Sequence, residues 1–357
     1  MILDFLIHKL TEYHPPEVVA DRCINHRVKD GCSICKECCP ENAVNIEDNR
    51  VVFNEQNCNL CGICKANCPT QAIKIRKNSE AEIIAAAAEK KNLVVACSLE
   101  NKTGNLSISC LNSLHPELIA YLFIMHKEKK LHFNLSNCAY CKLGHRQDMF
   151  EDSLSKAVKF TNKLGIDPAY EIHSDESELS NLVVEEISRR NLFKLIKKES
   201  SDMVVKTVSS IVDGDDSNFS LRNMLLNSIK GIKFKDENNT NIFWEYWDVS
   251  IDCDGCGKCM SICPGKSWKL EKDEDEIRLY HKAEDCYKCG ACEKKCPKKA
   301  ITKSCAEEFG SEFKLKRQIK LSTCRQCNKK FIPSGDENEC DVCKKKELLR
   351  RKISAFD

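Results

Sequence analysis

The sequence predicts an α+β multidomain chain in which two cysteine-rich modules flank a small α/β domain and a helical connector. Two observations lead to this prediction. Most of the 26 cysteines among the 357 residues fall into runs with short gaps, and four of these runs end in Cys-Pro. The four runs lie in two pairs, near residues 23–70 and 253–297, and the long stretch between the pairs has helix and strand patterns of its own.

The N-terminal part of the chain is predicted to consist of a short helix followed by the first cysteine module. Residues 1–20 have the pattern of an amphipathic helix that stops at Pro15-Pro16, because proline does not continue a helix. The first cysteine module is predicted over residues 21–78, which contain nine cysteines.

A small α/β domain is predicted over residues 79–170. Ser79 and Glu82 have the spacing of a capping box at the start of a helix over residues 79–91, and the apolar run Leu93–Cys97 suits a buried strand. A second helix, Pro116–Glu128, and an alternating strand, Lys130–Leu135, follow. Strand, helix and strand in this order indicate an α/β unit.

The remainder of the chain divides into a connector and two further modules. Residues 171–245 are predicted to be a helical connector, because residues 171–242 contain no cysteine and are rich in polar and charged residues. The second cysteine module is predicted over residues 246–305, and a C-terminal four-cysteine module with a basic tail over residues 306–357. The predicted helices of the connector are Glu178–Lys198, Ser201–Val212 and Leu221–Ile229.

The run Cys-x2-Cys-x2-Cys-x3-Cys-Pro is typical of [4Fe–4S] cluster sites. Two intervening residues let consecutive thiolates curl round one corner of a cubic cluster, and the proline then redirects the chain. The motif resembles that of bacterial two-cluster ferredoxins, in which the fourth cysteine of each run crosses to the other cluster. Regular copies span Cys58 to Cys68, Cys253 to Cys263 and Cys286 to Cys296.

This resemblance implies four [4Fe–4S] clusters, two in each dicluster ferredoxin-like module. Each cluster would take three cysteines from one run and the crossing cysteine from its partner run. In the first module the implied sets are Cys23, Cys32, Cys35 and Cys68, then Cys58, Cys61, Cys64 and Cys39. In the second module they are Cys253, Cys256, Cys259 and Cys296, then Cys286, Cys289, Cys292 and Cys263.

The first run departs from the regular spacing, because Lys29 stands where its first cysteine is expected. One interpretation uses Cys23 and an expanded loop, so that the run becomes Cys23-x8-Cys32-x2-Cys35-x3-Cys39-Pro40. The alternative is a regular triplet that ends at Cys38 and leaves Cys23 without a role as ligand. We favour Cys23, since the Cys-Pro register is then the same in all four runs.

A further four cysteines, Cys97, Cys110, Cys138 and Cys141, lie in the predicted α/β domain. The segments Cys110-Leu-Asn-Ser-Leu-His-Pro116 and Cys138-Ala-Tyr-Cys141 resemble the small iron–sulfur (delta) subunit of methyl-viologen-reducing hydrogenase. That family implies a [2Fe–2S] cluster and a hydrogenase-like partner. Glu100 replaces a cysteine of the family and the second gap is shorter, so Zn²⁺ and a pair of buried free thiols remain alternatives.

The C-terminal spacing predicts a zinc ribbon. Two knuckles with two thiolates each can close a tetrahedral site, and Zn²⁺ then stabilises a module too small for a core of its own. Rubredoxin-type iron would use a similar geometry. The predicted ligands are Cys324, Cys327, Cys340 and Cys343.

Composition and the absence of certain motifs argue against several classes of function. No signal peptide and no apolar run of membrane-spanning length are evident, so a cytoplasmic protein without a membrane span is expected. A net charge of +2 does not favour nucleic acid as the main partner. Glycine-rich nucleotide motifs are missing, which does not favour catalysis by this chain alone.

The sequence therefore predicts an iron–sulfur protein of anaerobic metabolism that relays single electrons to or from a redox-enzyme partner. One alternative is an assembly or maturation factor for a metalloenzyme complex, which would bind its client enzyme through the connector and the ribbon. Another is a redox-responsive regulator whose basic ribbon contacts nucleic acid.

Overall fold

A computed structural model of the chain separates it into two units, Met1–Ile242 and Phe243–Asp357. Several predicted features lie outside the described residues. They are residues 1–13 of the predicted N-terminal helix, the predicted helix Ser201–Val212, most of the predicted helix Glu178–Lys198, and Cys305. The structure describes residues 14–29, 31–76, 78–90, 92–98, 103–136, 138–144, 147–183, 220–232, 234–235, 242–304, 312–333, 335 and 337–353.

Two short antiparallel strand pairs frame the first cysteine module. Strand β1 (Glu17–Val18) pairs with β4 (Ile73–Lys74), so the two ends of the module meet, and β2 (Val44–Glu47) pairs with β3 (Arg50–Phe53). The turn of the β2–β3 hairpin is Asp48-Asn49, with φ of 47° and 61°, which type I′ hairpin turns require. Three short helices complete the module: α1 (Ile24–Arg27), α2 (Ile34–Glu37) and α3 (Ile63–Asn67).

Four parallel strands form the sheet of the α/β domain, in the order β6-β5-β7-β8. Strands β5 (Leu93–Cys97) and β7 (Leu131–Asn134) confirm the two predicted strands, and β5 is buried along its whole length. The outer strands β6 (Leu106–Ile108) and β8 (Tyr170–His173) were not predicted. Three of the four residues of β8 are exposed, so its sequence lacks the apolar pattern of a buried strand.

Helix α4 (Glu80–Glu89) begins with the predicted capping box. The Ser79 hydroxyl accepts a hydrogen bond from the Glu82 amide at 3.2 Å, and the Glu82 carboxylate accepts one from the Ser79 amide at 3.0 Å. Helix α5 (Pro116–Met125) confirms the second predicted helix but ends three residues early, and it packs against α6 (Gln147–Lys163).

Helix α7 (Leu221–Ser228) confirms the last predicted helix of the connector and packs against α5 within the first unit. Its Arg222 forms a buried ion pair with Glu117, and both side chains are 3 % exposed. Gln71, from the first cysteine module, donates a hydrogen bond to the same carboxylate at 3.0 Å. Burial alone would raise the pKa of Glu117, but the Arg222 guanidinium lowers it below the ordinary value.

The second unit contains two strand sets around its cysteine runs. The runs lie beside two short helices. In the part of the chain that the structure describes, no helix is both long and apolar enough to cross a lipid bilayer. Strand β9 (Trp247–Val249) pairs with β12 (Ile301–Lys303), while β10 (Trp268–Lys272), β11 (Glu276–His281) and β13 (Lys314–Lys320) form an antiparallel sheet. The other elements are α8 (Lys258–Ile262), α9 (Ala291–Lys294), β14 (Ser322–Thr323), β15 (Lys330–Phe331) and α10 (Asp341–Ile353).

The buried ion pair yields a stability prediction. Glu117→Gln is expected to destabilise the first unit by about 3–5 kcal/mol, because Arg222 then remains buried without its carboxylate. The double variant Glu117→Gln with Arg222→Met should recover most of this loss. Urea unfolding followed by circular dichroism measures the effect. Lys156→Met, which removes an exposed ion pair with Asp152, is the control and should change stability by less than about 1 kcal/mol. An equal effect of both single changes would contradict the prediction.

Candidate metal centres

The first cysteine module contains a cavity lined by the first predicted ligand set. Its walls include apolar side chains of β1, β3 and β4, such as Val18, Val51 and Ile73. Cys68 reaches this cavity from the second run of the module, as the crossing arrangement requires. The cysteines that line the cavity are Cys23, Cys32, Cys35 and Cys68.

A second cavity of the module is lined by the second predicted set. Here Cys39 arrives from the first run, so the two runs exchange their last cysteines. Apolar contacts come from Val44 of β2 and Phe53 of β3. The empty volumes of the two cavities are about 350 and 340 Å³, including their open mouths. The cysteines that line the second cavity are Cys39, Cys58, Cys61 and Cys64.

Each crossing cysteine is followed by the same local geometry. The third residue after the cysteine has a positive φ, between 49° and 54°, at Asn42, Gln71, Lys266 and Lys299. The turn aims the next backbone N–H at the cysteine sulfur, at 3.3–3.4 Å. Such bonds stabilise a thiolate, so the chain itself supplies part of the charge compensation for a ligand. The sulfur–amide pairs are Cys39–Ala43, Cys68–Ala72, Cys263–Ser267 and Cys296–Ala300.

The short helix of every run begins directly after the second ligand. In the three regular runs its N-cap is a glycine with positive φ, namely Gly62, Gly257 or Gly290. In the irregular run the N-cap of α2 is Ser33, with φ of −124°. Ser33 follows Cys32, so Cys32 occupies the position that Cys61 has in the next run, and one ligand must still come from upstream.

Asparagine or aspartate side chains hold the second ligand in three runs, and the sequence reasoning missed them. Asn59 accepts a hydrogen bond from the Cys61 amide at 3.0 Å. Asp254 accepts one from the Cys256 amide at 3.1 Å. In the irregular run the buried Asn25 accepts from the Cys32 amide at 2.9 Å and from the Gly31 amide at 3.1 Å, and it donates to the Cys32 carbonyl at 2.6 Å. An Asn or Asp one or two residues after the first ligand is the signal that could have identified them.

The expanded loop therefore has a defined structure. Helix α1 starts immediately after Cys23, and the Asn25 clamp returns the chain to Cys32. Cys38, the alternative ligand, is buried, but it is not among the residues that line either cavity, and its sulfur lies 3.6 Å from the Cys35 carbonyl oxygen. The structure thus brings Cys23, and not Cys38, to the first cavity.

Burial makes several of the ligand thiols weaker acids when no metal compensates their charge. It raises the pKa of Cys35 to about 12 and that of Cys61 to about 11. In the second module it raises the pKa of Cys259 and of Cys289 to about 12. These thiols are protonated near neutral pH, so metal binding must displace protons, and the positive charge of iron would supply what the apolar walls do not.

The second module brings its two predicted ligand sets together as separate groups. Burial is the main cause that raises the pKa of Cys286, Cys289 and Cys292, and the neighbouring charge of Cys263 raises all three further. Burial is also the main cause that raises the pKa of Cys253, and the neighbouring charges of Cys256 and Cys296 raise it further. Each crossing cysteine is thus close to the run that the ferredoxin resemblance assigns to it.

Ser267 distinguishes one crossing cysteine from the other three. Its position is occupied by alanine in the other runs, at Ala43, Ala72 and Ala300. The Ser267 hydroxyl lies 3.1 Å from the Cys263 sulfur and is fully buried. Together with its own backbone amide, Ser267 can donate two hydrogen bonds to one ligand.

The four cysteines of the α/β domain line one cavity at the C-terminal ends of the parallel strands. Cys97 ends β5, Cys110 follows β6, and the remaining two follow β7. The cavity has an empty volume of about 470 Å³ including its open mouth, which exceeds that of either cavity in the first module. A hydrogen bond with Cys97, and then burial, raise the pKa of Cys110. The lining cysteines are Cys97, Cys110, Cys138 and Cys141.

This middle cavity lies next to the second cavity of the first module. A β-carbon at Gly62 would come within 2.6 Å of the Ser113 β-carbon, so α3 and the turn after Cys110 are in close contact. Cys110 and Cys141 pack into the same apolar core as the cysteines of the module. The three cysteine cavities of the first unit therefore share one packed core.

The C-terminal cysteines form a compact group beside the hairpin β14–β15. Their sulfur atoms all lie within 4.8 Å of one another, and those of Cys327 and Cys340 are 3.8 Å apart. Two sulfurs at about 2.3 Å from one tetrahedral ion would be about 3.8 Å apart. The Cys340 amide donates to the Cys324 sulfur at 3.3 Å, and this bond, together with the amides of Cys327 and Gln326, lowers the pKa of Cys324 to about 6. The four residues, Cys324, Cys327, Cys340 and Cys343, can thus bind a single metal ion.

Two protein families match parts of the chain. The 4Fe-4S dicluster domain matches residues 252–301, and the 4Fe-4S binding domain matches residues 50–73. The first run of the first module, from Cys23 to Cys39, lies outside both matches, in agreement with its irregular loop. No curated protein matches the chain. The chain therefore contains ferredoxin-type iron–sulfur domains that bind [4Fe–4S] clusters.

The choice between Cys23 and Cys38 can be tested by iron content. Cys23→Ala is expected to lower the iron of anaerobically purified protein by about four atoms per chain, because one cluster loses a ligand. Cys38→Ala should leave the iron content unchanged, since this thiol is not at either cavity. Iron analysis with a protein assay measures both. The reverse pattern would show that the regular triplet is the true ligand set.

The hydroxyl of Ser267 should tune one cluster. Ser267→Ala is expected to lower the midpoint potential of the cluster bound by Cys263 by about 40 mV, the equivalent of about 1 kcal/mol for one electron. The reason is that a donor to sulfur stabilises the reduced, more negative state more than the oxidised one. EPR-monitored titration measures the potential. Ser261→Ala, at an exposed hydroxyl of the same module that bonds the Lys258 carbonyl, is the control. An unchanged or higher potential would contradict the prediction.

Proposed function

We propose that the chain is a cytoplasmic electron-transfer protein that relays single electrons through four [4Fe–4S] clusters, two in each module, to or from a redox-enzyme partner. The observation that carries the proposal is the exchange of crossing cysteines in the first module. Cys39 reaches the cavity of the second run, and Cys68 reaches that of the first. Two clusters held in this way are tied to one another by the protein, at a fixed and short separation.

The chain's own residues contribute charge compensation and shielding to this function. Backbone amides point at each crossing sulfur, and in the first module apolar side chains line both cavities and would limit access of water to the ligands. When bound, the clusters supply reversible one-electron chemistry. The pairing of β1 with β4 and of β9 with β12 would keep the ligands in place, so little reorganisation would accompany a change of charge.

The middle site is proposed to be a further relay that holds a [2Fe–2S] cluster. Its four thiols line one common cavity. Among the described residues its sulfurs do not form a group with all atoms within 4.8 Å, as the C-terminal cysteines do, and this spacing favours a cluster over a single zinc ion. The close approach of Gly62 and Ser113 supports direct electron exchange with the adjacent module.

The C-terminal site is proposed to hold Zn²⁺ in a structural role. Four thiolates at single-ion spacing leave no open position for a substrate. The ribbon has little core of its own, since Val342 and Leu348 are exposed, so the metal would provide much of its folding free energy. Strand β13 joins the ribbon to the sheet of the second module.

Metal analysis and EPR spectroscopy of anaerobically purified full-length protein test this proposal. About 16 irons per chain are expected from the two modules, and two more from the middle site. The dithionite-reduced protein should give broadened signals, because paired clusters in one module carry interacting spins. A [2Fe–2S] signal that disappears in Cys110→Ala would support the middle relay. An iron content far below 16 atoms per chain, or EPR signals without broadening by spin interaction, would exclude a relay through two paired clusters in each module.

A further inference from the structure

Two histidines and a glutamate, none of them among the predicted ligands, form a compact group on the neighbouring strands β7 and β8. His132 on β7 is paired in the sheet with Glu171 on β8, and His173 lies two residues further along β8. His132 Nδ1 is 2.9 Å from His173 Nε2. The Glu171 carboxylate oxygen is 3.6 Å from the first nitrogen and 3.8 Å from the second.

These distances suit three ligands of one metal ion. Nitrogen and oxygen ligands at about 2.0–2.2 Å from a tetrahedral zinc ion are about 3.3–3.5 Å apart, and the three observed distances lie on either side of that value. Among the described residues, this group and the C-terminal cysteines are the two whose ligand atoms all lie within 4.8 Å of one another. The group therefore needs only small movements to surround an ion.

The second nitrogen of His173 has the partner that metal-binding histidines usually have. His173 Nδ1 lies 2.9 Å from the Glu178 carboxylate, which follows β8 in a short 3₁₀ helix. A proton on Nδ1 would be held there, so Nε2 presents its lone pair to Glu171 and His132.

The site is enclosed at the histidines and open at the carboxylate. The two imidazoles are 6 % and 4 % exposed, whereas Glu171 is 45 % exposed. Glu171 also contacts Lys130, whose ammonium lies 2.6 Å from the carboxylate oxygen and is half exposed. Lys130 is thus the local competitor for Glu171, and its long side chain can move into solvent when an ion binds.

We propose that His132, Glu171 and His173 bind a divalent transition-metal ion such as Zn²⁺, with Glu178 as the residue that orients His173. Three protein ligands leave a fourth position open on the solvent side, where a water molecule can bind. The ion would also join the edge strand β8 to β7 through side chains. This site is independent of the relay proposed above, since it shares no residue with the cysteine centres.

The test is zinc analysis and zinc K-edge X-ray absorption of full-length protein produced anaerobically with added Zn²⁺. The wild type should show a shell of nitrogen or oxygen atoms at about 2.0–2.1 Å in addition to the sulfur shell at about 2.3 Å from the ribbon. In Glu171→Gln and in His132→Asn the light-atom shell should vanish and the zinc content should fall by about one atom per chain. Glu178→Gln should lower the affinity of this site for zinc roughly 10–100-fold.

Lys130→Ala is the matched control, because it removes the same ion pair as Glu171→Gln without removing a ligand. It should keep the light-atom shell and bind zinc at least as tightly as the wild type. Glu171 is exposed, so its variant reports on the site even if His132→Asn does not fold. Absence of the shell in the wild type, wild-type zinc affinity in either ligand variant, or equal loss in Lys130→Ala would overturn the proposal. Unchanged iron content in all variants separates this outcome from a failure of the relay.

Discussion

The left-handed turn after each Cys-Pro is the constraint on which the arrangement of the cysteine modules depends. In each run the turn directs the amide of the following residue at the sulfur of the crossing cysteine, which in the first module lies at the cavity of the partner run. The residue after the turn is buried in every copy, and a strand starts within the next two residues in each run. The turn position is occupied by asparagine, glutamine or lysine and not by glycine, so a strained backbone conformation of L residues recurs four times. Its recurrence indicates that ligand geometry outweighs the local conformational penalty.

A second constraint follows from burial of the ligands themselves. The core of the first module consists largely of cysteines, with few aliphatic side chains such as Ile63 and Ile73. A thiolate in such a core is unstable without a compensating cation, while a protonated thiol contributes little more than a small apolar group. Metal binding and folding of this module are therefore expected to be coupled, as in other small domains that are stabilised by their metal. The neighbouring α/β domain differs, because a fully buried strand and the packed helices α5 and α6 give it an ordinary hydrophobic core.

Local features of this structure were predictable from the sequence, and non-local ones were not. Cysteine spacing, the capping box at Ser79 and the strand Leu93–Cys97 depend on neighbours within a few residues, so pattern alone predicted them. The hydrogen bond between Asn25 and the Cys32 amide closes a loop of seven residues, which no local pattern indicates. Cysteine spacing therefore left both Cys23 and Cys38 as possible ligands. Strand β8 is held by its pairing with β7 and by no apolar pattern, so the His132, Glu171 and His173 group could not be foreseen. The same holds for Arg222, which meets Glu117 across 105 residues of sequence.

The contacts between the first module and the α/β domain determine how the three cysteine cavities of the first unit can act together. Electron transfer between centres depends steeply on their separation, so a relay needs this separation to be constant. Two contacts would hold it in the proposed relay: Gly62 allows α3 to touch Ser113, and Gln71 joins the turn after Cys68 to the buried pair of Glu117 and Arg222. A side chain at position 62 would need both a left-handed backbone and room that Ser113 already occupies. In the proposed relay, the glycine that begins the helix of a cysteine run would therefore also set the distance to the middle cysteine site.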